Sequence, residues 1–131
     1  MGNRAVVAVR GKTADNNRVV YLHWNGGRAS IQGFLHACAE IMPCANIERM
    51  PIKALDQFER MAREFIGGSV YRQTWAESDR DNGDNGTYII GADWRIVGRE
   101  HAREREEIDG AQTDAIYAKC VAAFPAPVIR K

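Results

Sequence analysis

The stretch Arg18-Val19-Val20-Tyr21-Leu22-His23-Trp24-Asn25-Gly26-Gly27-Arg28, continuing into Ala29-Ser30-Ile31-Gln32-Gly33-Phe34-Leu35, changes its hydrophobic period half-way along. Arg18 to Trp24 is rich in β-branched and aromatic residues, which predicts a strand. Beyond it, Ile31, Phe34, Leu35 and Cys38 recur at i, i+3, i+4 and i+7, the spacing of a helix with one apolar face, and Ser30 is placed to cap it. Trp24-Asn25-Gly26-Gly27-Arg28 is therefore a strand-to-helix turn. Its two glycines let backbone approach a ligand closely, the helix start offers unpaired N–H groups, and Arg28 adds a guanidinium, a combination that seats a phosphate. The same residues also read as an ordinary turn with Trp24 in the core and Arg28 in solvent. The string matches neither a P-loop nor GxGxxG.

Working outward, Ala5-Val6-Val7-Ala8-Val9 reads as a strand joined through Gly11–Asn17 to Arg18–Trp24 as a hairpin. The first helix spans about Ile31 to Ile41 and stops before Pro43. A second helix, about Ile52 to Ile66, carries Leu55, Phe58, Met61, Ala62 and Phe65 on one face and ends at Gly67-Gly68. Ser69 to Trp75 alternates as a half-exposed strand, and Ala76 to Gly86 reads as an exposed loop. Thr87–Ile90 and Trp94–Val97 flank Gly91-Ala92-Asp93 as a hairpin. A last helix, about Gln112 to Ala122, buries Ile116, Cys120 and Val121. The order β-β-α-α-β-β-β-α segregates strands from helices. It predicts one α+β domain over residues 1–131, an antiparallel sheet of about five strands with two to three helices. Residues 99–111 form a charged connector in this reading, and 112–131 a C-terminal helix and tail.

The chain has 131 residues, 45% hydrophobic and 27% charged, with a formal net charge of +1, ordinary values for a globular domain. A pI of 7.8 argues against a duplex nucleic-acid binder, which usually presents a basic face. No apolar run approaches the roughly 20 residues that span a bilayer, so no membrane partner is expected. Cys38, Cys44 and Cys120 have no metal-ligand spacing, and their odd number fits a reducing cytoplasm. Met1-Gly2-Asn3-Arg4 leads into a strand with no apolar leader segment, which also points to a cytoplasmic protein.

The aspartate-rich loop Asp79–Gly86 does not keep a calcium-loop register. With Asp81 as position one, Ala92 stands where a bidentate glutamate belongs. His23, His36 and His101 form no HExxH, HxH or His–Cys pattern. Glu77, Asp79, Asp81 and Asp84 read as solvated loop carboxylates with ordinary acidity. No catalytic residues, metal ligands or cofactor are expected, and the chain does not read as an enzyme. Its arginines are more suggestive. Arg72, Arg95, Arg99, Arg103 and Arg105 are interleaved with Trp75, Tyr88 and Trp94, and aromatic faces with guanidinium forks suit a base plus phosphates. Glu100, Glu104, Glu106 and Glu107 offer the competing reading of a surface of salt bridges.

The segments Tyr21–Arg28, Asp84-Asn85-Gly86-Thr87-Tyr88-Ile89-Ile90 and Asp93-Trp94-Arg95-Ile96-Val97-Gly98-Arg99 resemble the type-one Thoeris anti-defence family of small phage and prophage proteins. The resemblance covers Asn3 to about Glu107. It implies an α+β sponge that binds a cyclic ADP-ribose isomer made by a bacterial TIR-domain protein and withholds it from the defence effector, without catalysis. It also implies a homodimer or higher homo-oligomer, with the pocket at the subunit interface, in the cytoplasm of an infected bacterial host. By resemblance, ligand contacts fall to Trp24, Asn25 and Arg28, to Asn85 and Thr87, and to Trp75 with Arg99 or Arg103 as its partner. Two other readings compete: a protein that inhibits a host defence complex by binding it, as anti-CRISPR proteins do, and a small nucleotide-processing enzyme.

Overall fold

The structure, a computed structural model, describes residues 3–43, 46–102 and 110–123. The five strands are β1 (Ala5–Val9), β2 (Arg18–Leu22), β3 (Val70–Thr74), β4 (Thr87–Gly91) and β5 (Arg95–Glu100). The helices are α1 (Arg28–Ile41), α2 (Pro51–Ile66) and α3 (Gly110–Ala123), with 3-10 turns at Ile47–Arg49 and Ala92–Trp94. The chain is α+β, and its elements follow the order expected from sequence.

All five strands form one sheet in the order β3-β2-β1-β4-β5. Three pairings are antiparallel and one, β1 with β4, is parallel. The sheet is thus mixed rather than wholly antiparallel, and the reason lies in residues 75–86. Trp75 N–H donates to the Asn17 carbonyl at one end of the sheet, and Asn85 N–H to the Arg4 carbonyl at the other. The segment therefore crosses the sheet from end to end, and β4 starts at the same end as β1. It is a crossing and not simply the exposed loop expected. Asn82, Asp84 and Asn85 are buried within it.

The main core lies between one sheet face and the helices. Val7, Val20, Leu22, Val70, Tyr88 and Ile90 meet Ile31, Phe34, Leu35 and Cys38 of α1 and Leu55, Phe58, Met61 and Ala62 of α2. Both predicted apolar stripes are buried there. Cys120 of α3 joins this core, and burial pushes its thiol up to about 11. Pro51 opens α2 at a position needing no N–H donor, and Gly67, at φ 94°, closes it. On the opposite sheet face, Trp75 covers Val6, Ala8 and Val19 in a second, smaller core.

Helix α1 begins three residues earlier than expected. Gly27 occupies the cap position and its carbonyl accepts from Ile31 N–H at 3.0 Å. Ser30 is the third helical residue, 2% exposed, so it does not cap the helix as its position suggested. Arg28 becomes the first helical residue, which decides where its side chain goes.

Candidate functional site

The strand-to-helix turn is held in place by the fold around it. Gly26 N–H donates to the Asn3 carbonyl at 2.8 Å, and a Cβ on Gly26 would stand 2.5 Å from that oxygen. The close approach that Gly26 allows is therefore to the chain's own N-terminal segment. The Gly26 carbonyl accepts from the hydroxyl of Tyr88 at 2.7 Å, a buried bond linking the turn to β4. Asn25 takes φ 58°, a left-handed conformation that asparagine tolerates, and its Nδ2 reaches Ser30 Oγ at 3.5 Å.

Tyr88, noted from sequence among the interleaved aromatics and within the second resembling segment but given no contact of its own, is the hub that joins the two predicted motifs. The Arg99 guanidinium lies over its ring at 3.9 Å, and Arg99 Nη2 donates to the Asn85 carbonyl at 2.9 Å. Asn85 Nδ2 donates in turn to Asn3 Oδ1 at 2.7 Å and to the Arg4 carbonyl at 3.2 Å. The turn, Asn85 and Arg99 thus belong to one connected network. Asn85 is 6% exposed and Thr87 fully buried, with Thr87 Oγ1 donating to the Arg80 carbonyl at 3.1 Å. Both side chains support the architecture and present little surface.

Asp84 is fixed beside them. Arg4 Nε donates to Asp84 Oδ2 at 2.7 Å and Arg4 N–H to the same oxygen at 3.1 Å. Burial raises the Asp84 carboxyl, but the hydrogen bonds and charge of Arg4 together outweigh it and hold the group below its ordinary range. This carboxylate does not behave as the solvated loop group expected.

The pairing of Trp75 with Arg99 is not found. Trp75 belongs to the small core on the helix-free sheet face, with Arg80 over its ring at 4.4 Å. Arg99 pairs with Tyr88 in the strand register and shares the opposite, helix-covered face with it. The sheet itself separates the two side chains. Arg72, another of the predicted cluster, is taken up by Asp56 at 2.7 Å and Glu59 at 2.6 Å. Arg103 and Arg105 lie outside the described residues.

The turn also divides its own two candidate contacts. Trp24 is 46% exposed, not in the core, and meets His23 edge-on at 4.9 Å. His23 Nδ1 lies 3.0 Å from the Tyr21 hydroxyl, and Tyr21 stacks with Tyr71 at 6.2 Å. These four rings form a connected row from Trp24 to exposed Tyr71, with Tyr21 packed against the small core. Arg28 instead lines a groove of about 310 Å³ between α1 and the β4–β5 hairpin.

That groove has a polar wall on each side. Arg28, Gln32 and His36, spaced at i, i+4 and i+8, project from α1, and Asp93 and Arg95 come from the hairpin. Leu35, Trp94 and Ile96 supply apolar surface between them. Trp94 is 2% exposed and its Nε1 donates to the Met42 carbonyl at 2.9 Å, which anchors the hairpin tip to the end of α1. The side chains of Gln32, His36, Asp93 and Arg95 make no hydrogen bond or ion pair with the described residues. Convergent polar groups over apolar surface are what a small-ligand site needs. Sequence reasoning found Arg28 and noted Arg95 among the arginines but did not bring them together, and it passed over Gln32, His36 and Asp93 as ligand contacts; the signal it left unused was the four-residue spacing of Arg28, Gln32 and His36.

No group of three or more His, Cys, Asp or Glu side chains suited to a metal ion occurs among the described residues, and no described helix is long and apolar enough to cross a membrane. No protein-family model, curated protein or solved structure matches the chain.

Proposed function

We propose that this chain binds and sequesters an anionic signalling nucleotide of the cyclic ADP-ribose type, holding it without chemical turnover and so acting against a bacterial defence pathway. The observation that carries the reading is the convergence of Arg28 from α1 and Arg95 from β5 on one groove, with Gln32, His36 and Asp93 completing its polar lining. Two guanidinium forks on separate elements suit a pyrophosphate, and the polar side chains suit ribose hydroxyls. The contacts reached by the ligand are then Arg28 and its groove partners. Asn85 and Arg99 act behind them, by fixing the turn from which α1 starts, and Thr87 by holding the crossing segment. A groove of about 310 Å³ stands at the small end of ligand sites, so a second copy closing over it, as the family resemblance implies, would complete the enclosure in the host cytoplasm.

Thermal-shift measurements with cyclic ADP-ribose isomers and cyclic oligonucleotides test this. A cyclic ADP-ribose isomer should raise the melting temperature and be recovered intact after heat denaturation. A cleaved product would favour the enzyme reading. The exposed row ending in Trp24 and Tyr71 supports a second reading, since aromatic side chains are enriched at protein interfaces. A protein-binding inhibitor would co-purify with a host defence complex and ignore every nucleotide in the panel.

A further inference from the structure

The groove is not a plain cation trap, because a carboxylate stands in it. Asp93 lines the groove with Arg28 and Arg95 and makes no ion pair with the described residues, Arg95 two positions along included. A carboxylate used only to balance an arginine would be paired with it. A site made only for phosphate would gain nothing from an acceptor-only side chain of the same sign as its ligand.

The backbone at the hairpin tip is held in an uncommon conformation that Asp93 tolerates and that is strained at Trp94. Asp93 and Trp94 both take φ 59°, two consecutive non-glycine residues in the left-handed region. Such strain persists where the surroundings over-determine it, and it concentrates at ligand sites. Here the anchor is the buried Trp94 indole and its bond to Met42, which fixes the hairpin tip and leaves the Asp93 side chain exposed at the groove.

An ionised carboxylate offers two acceptor oxygens to hydroxyl donors, and a vicinal diol presents two such donors side by side. Acidic residues recognise the ribose of dinucleotides by this chemistry. Resting on the nucleotide reading above, we infer that Asp93 selects ribose over deoxyribose: it accepts from a free 2′,3′-diol while Arg28 and Arg95 hold the attached phosphate. The ligand class is a 5′-phosphorylated ribonucleoside, free or as part of a larger signal, with at least one unblocked diol.

Titrating the full chain with AMP, 2′-deoxy-AMP and inorganic phosphate, followed by amide chemical shifts, tests the inference, with a cyclic ADP-ribose isomer measured alongside. AMP should bind about tenfold more tightly than 2′-deoxy-AMP, the worth of a hydrogen bond to a charged group. Asp93→Asn should bring AMP and 2′-deoxy-AMP to similar affinities without weakening inorganic phosphate, whereas Arg95→Ala should weaken all three. Equal affinities for AMP and 2′-deoxy-AMP, or an Asp93→Asn variant that still discriminates, would overturn the assignment. If the cyclic ADP-ribose isomer binds in that case, the nucleotide reading survives and only the role of Asp93 falls. Absence of binding by every nucleotide at millimolar concentration would overturn both.

Discussion

The hydroxyl of Tyr88 donates to the carbonyl of Gly26 at 2.7 Å across a sequence separation of 62 residues. This bond ties the turn before α1 to the β4 strand that runs beside β1. Removing the hydroxyl leaves a buried carbonyl without its donor. Tyr88→Phe should therefore cost about 1–2 kcal/mol of stability, measured by denaturant unfolding. It should also weaken nucleotide binding, because the position of Arg28 depends on the same turn.

The two turn glycines are not equivalent. A methyl on Gly26 would meet the Asn3 carbonyl at 2.5 Å, whereas the nearest atom to one on Gly27 is Asn3 Oδ1 at 3.7 Å. Gly26→Ala should lower stability by more than about 2 kcal/mol. Gly27→Ala should fold with a melting temperature close to that of the parent. Equal tolerance at both positions in a thermal melt would contradict this packing.

The two tryptophans proposed from sequence as stacking groups should separate cleanly on truncation. Trp75 is 8% exposed in the small core, and Trp75→Ala should cost about 3–5 kcal/mol. Trp24 is 46% exposed, and Trp24→Ala should stay within about 0.5 kcal/mol of the parent. Urea unfolding of the two variants provides the comparison.

The Arg4–Asp84 pair makes stability depend on acid. The Asp84 carboxyl titrates lower in the folded chain than in the unfolded one, where it titrates near 3.9. Its contribution is therefore present above that unfolded value and is lost as pH falls through the folded one. Asp84→Asn should be less stable than the parent at neutral pH. The gap between them should narrow steadily below about pH 4, as followed by melting temperature.

The α+β class, the element order and both apolar helix stripes were legible because each depends on local period and composition. Ile31, Phe34, Leu35 and Cys38 needed no partner to announce their face. The parallel β1–β4 pairing was not legible, since the polar residues of 75–86 resemble an exposed loop. What turns them into a crossing is long-range: Trp75 on the small core at one end, and Asn85 beneath Arg4 at the other. The site divides in the same way. Arg28 could be singled out from its turn, but the sheet face on which Trp24, Trp75 or Arg99 would lie depended on register. Arg95 read only as one of several arginines and Asp93 only as part of a turn, because only the fold brings the hairpin tip beside α1.

Small molecules released by heating from protein co-expressed with an active TIR-domain enzyme, identified by mass spectrometry, test the sequestration claim most directly. The parent chain should release an intact cyclic ADP-ribose-type nucleotide, and Arg28→Ala, folded by circular dichroism, should release little or none. Parent protein that carries no nucleotide, or an Arg28→Ala variant that retains as much as the parent, would contradict the account.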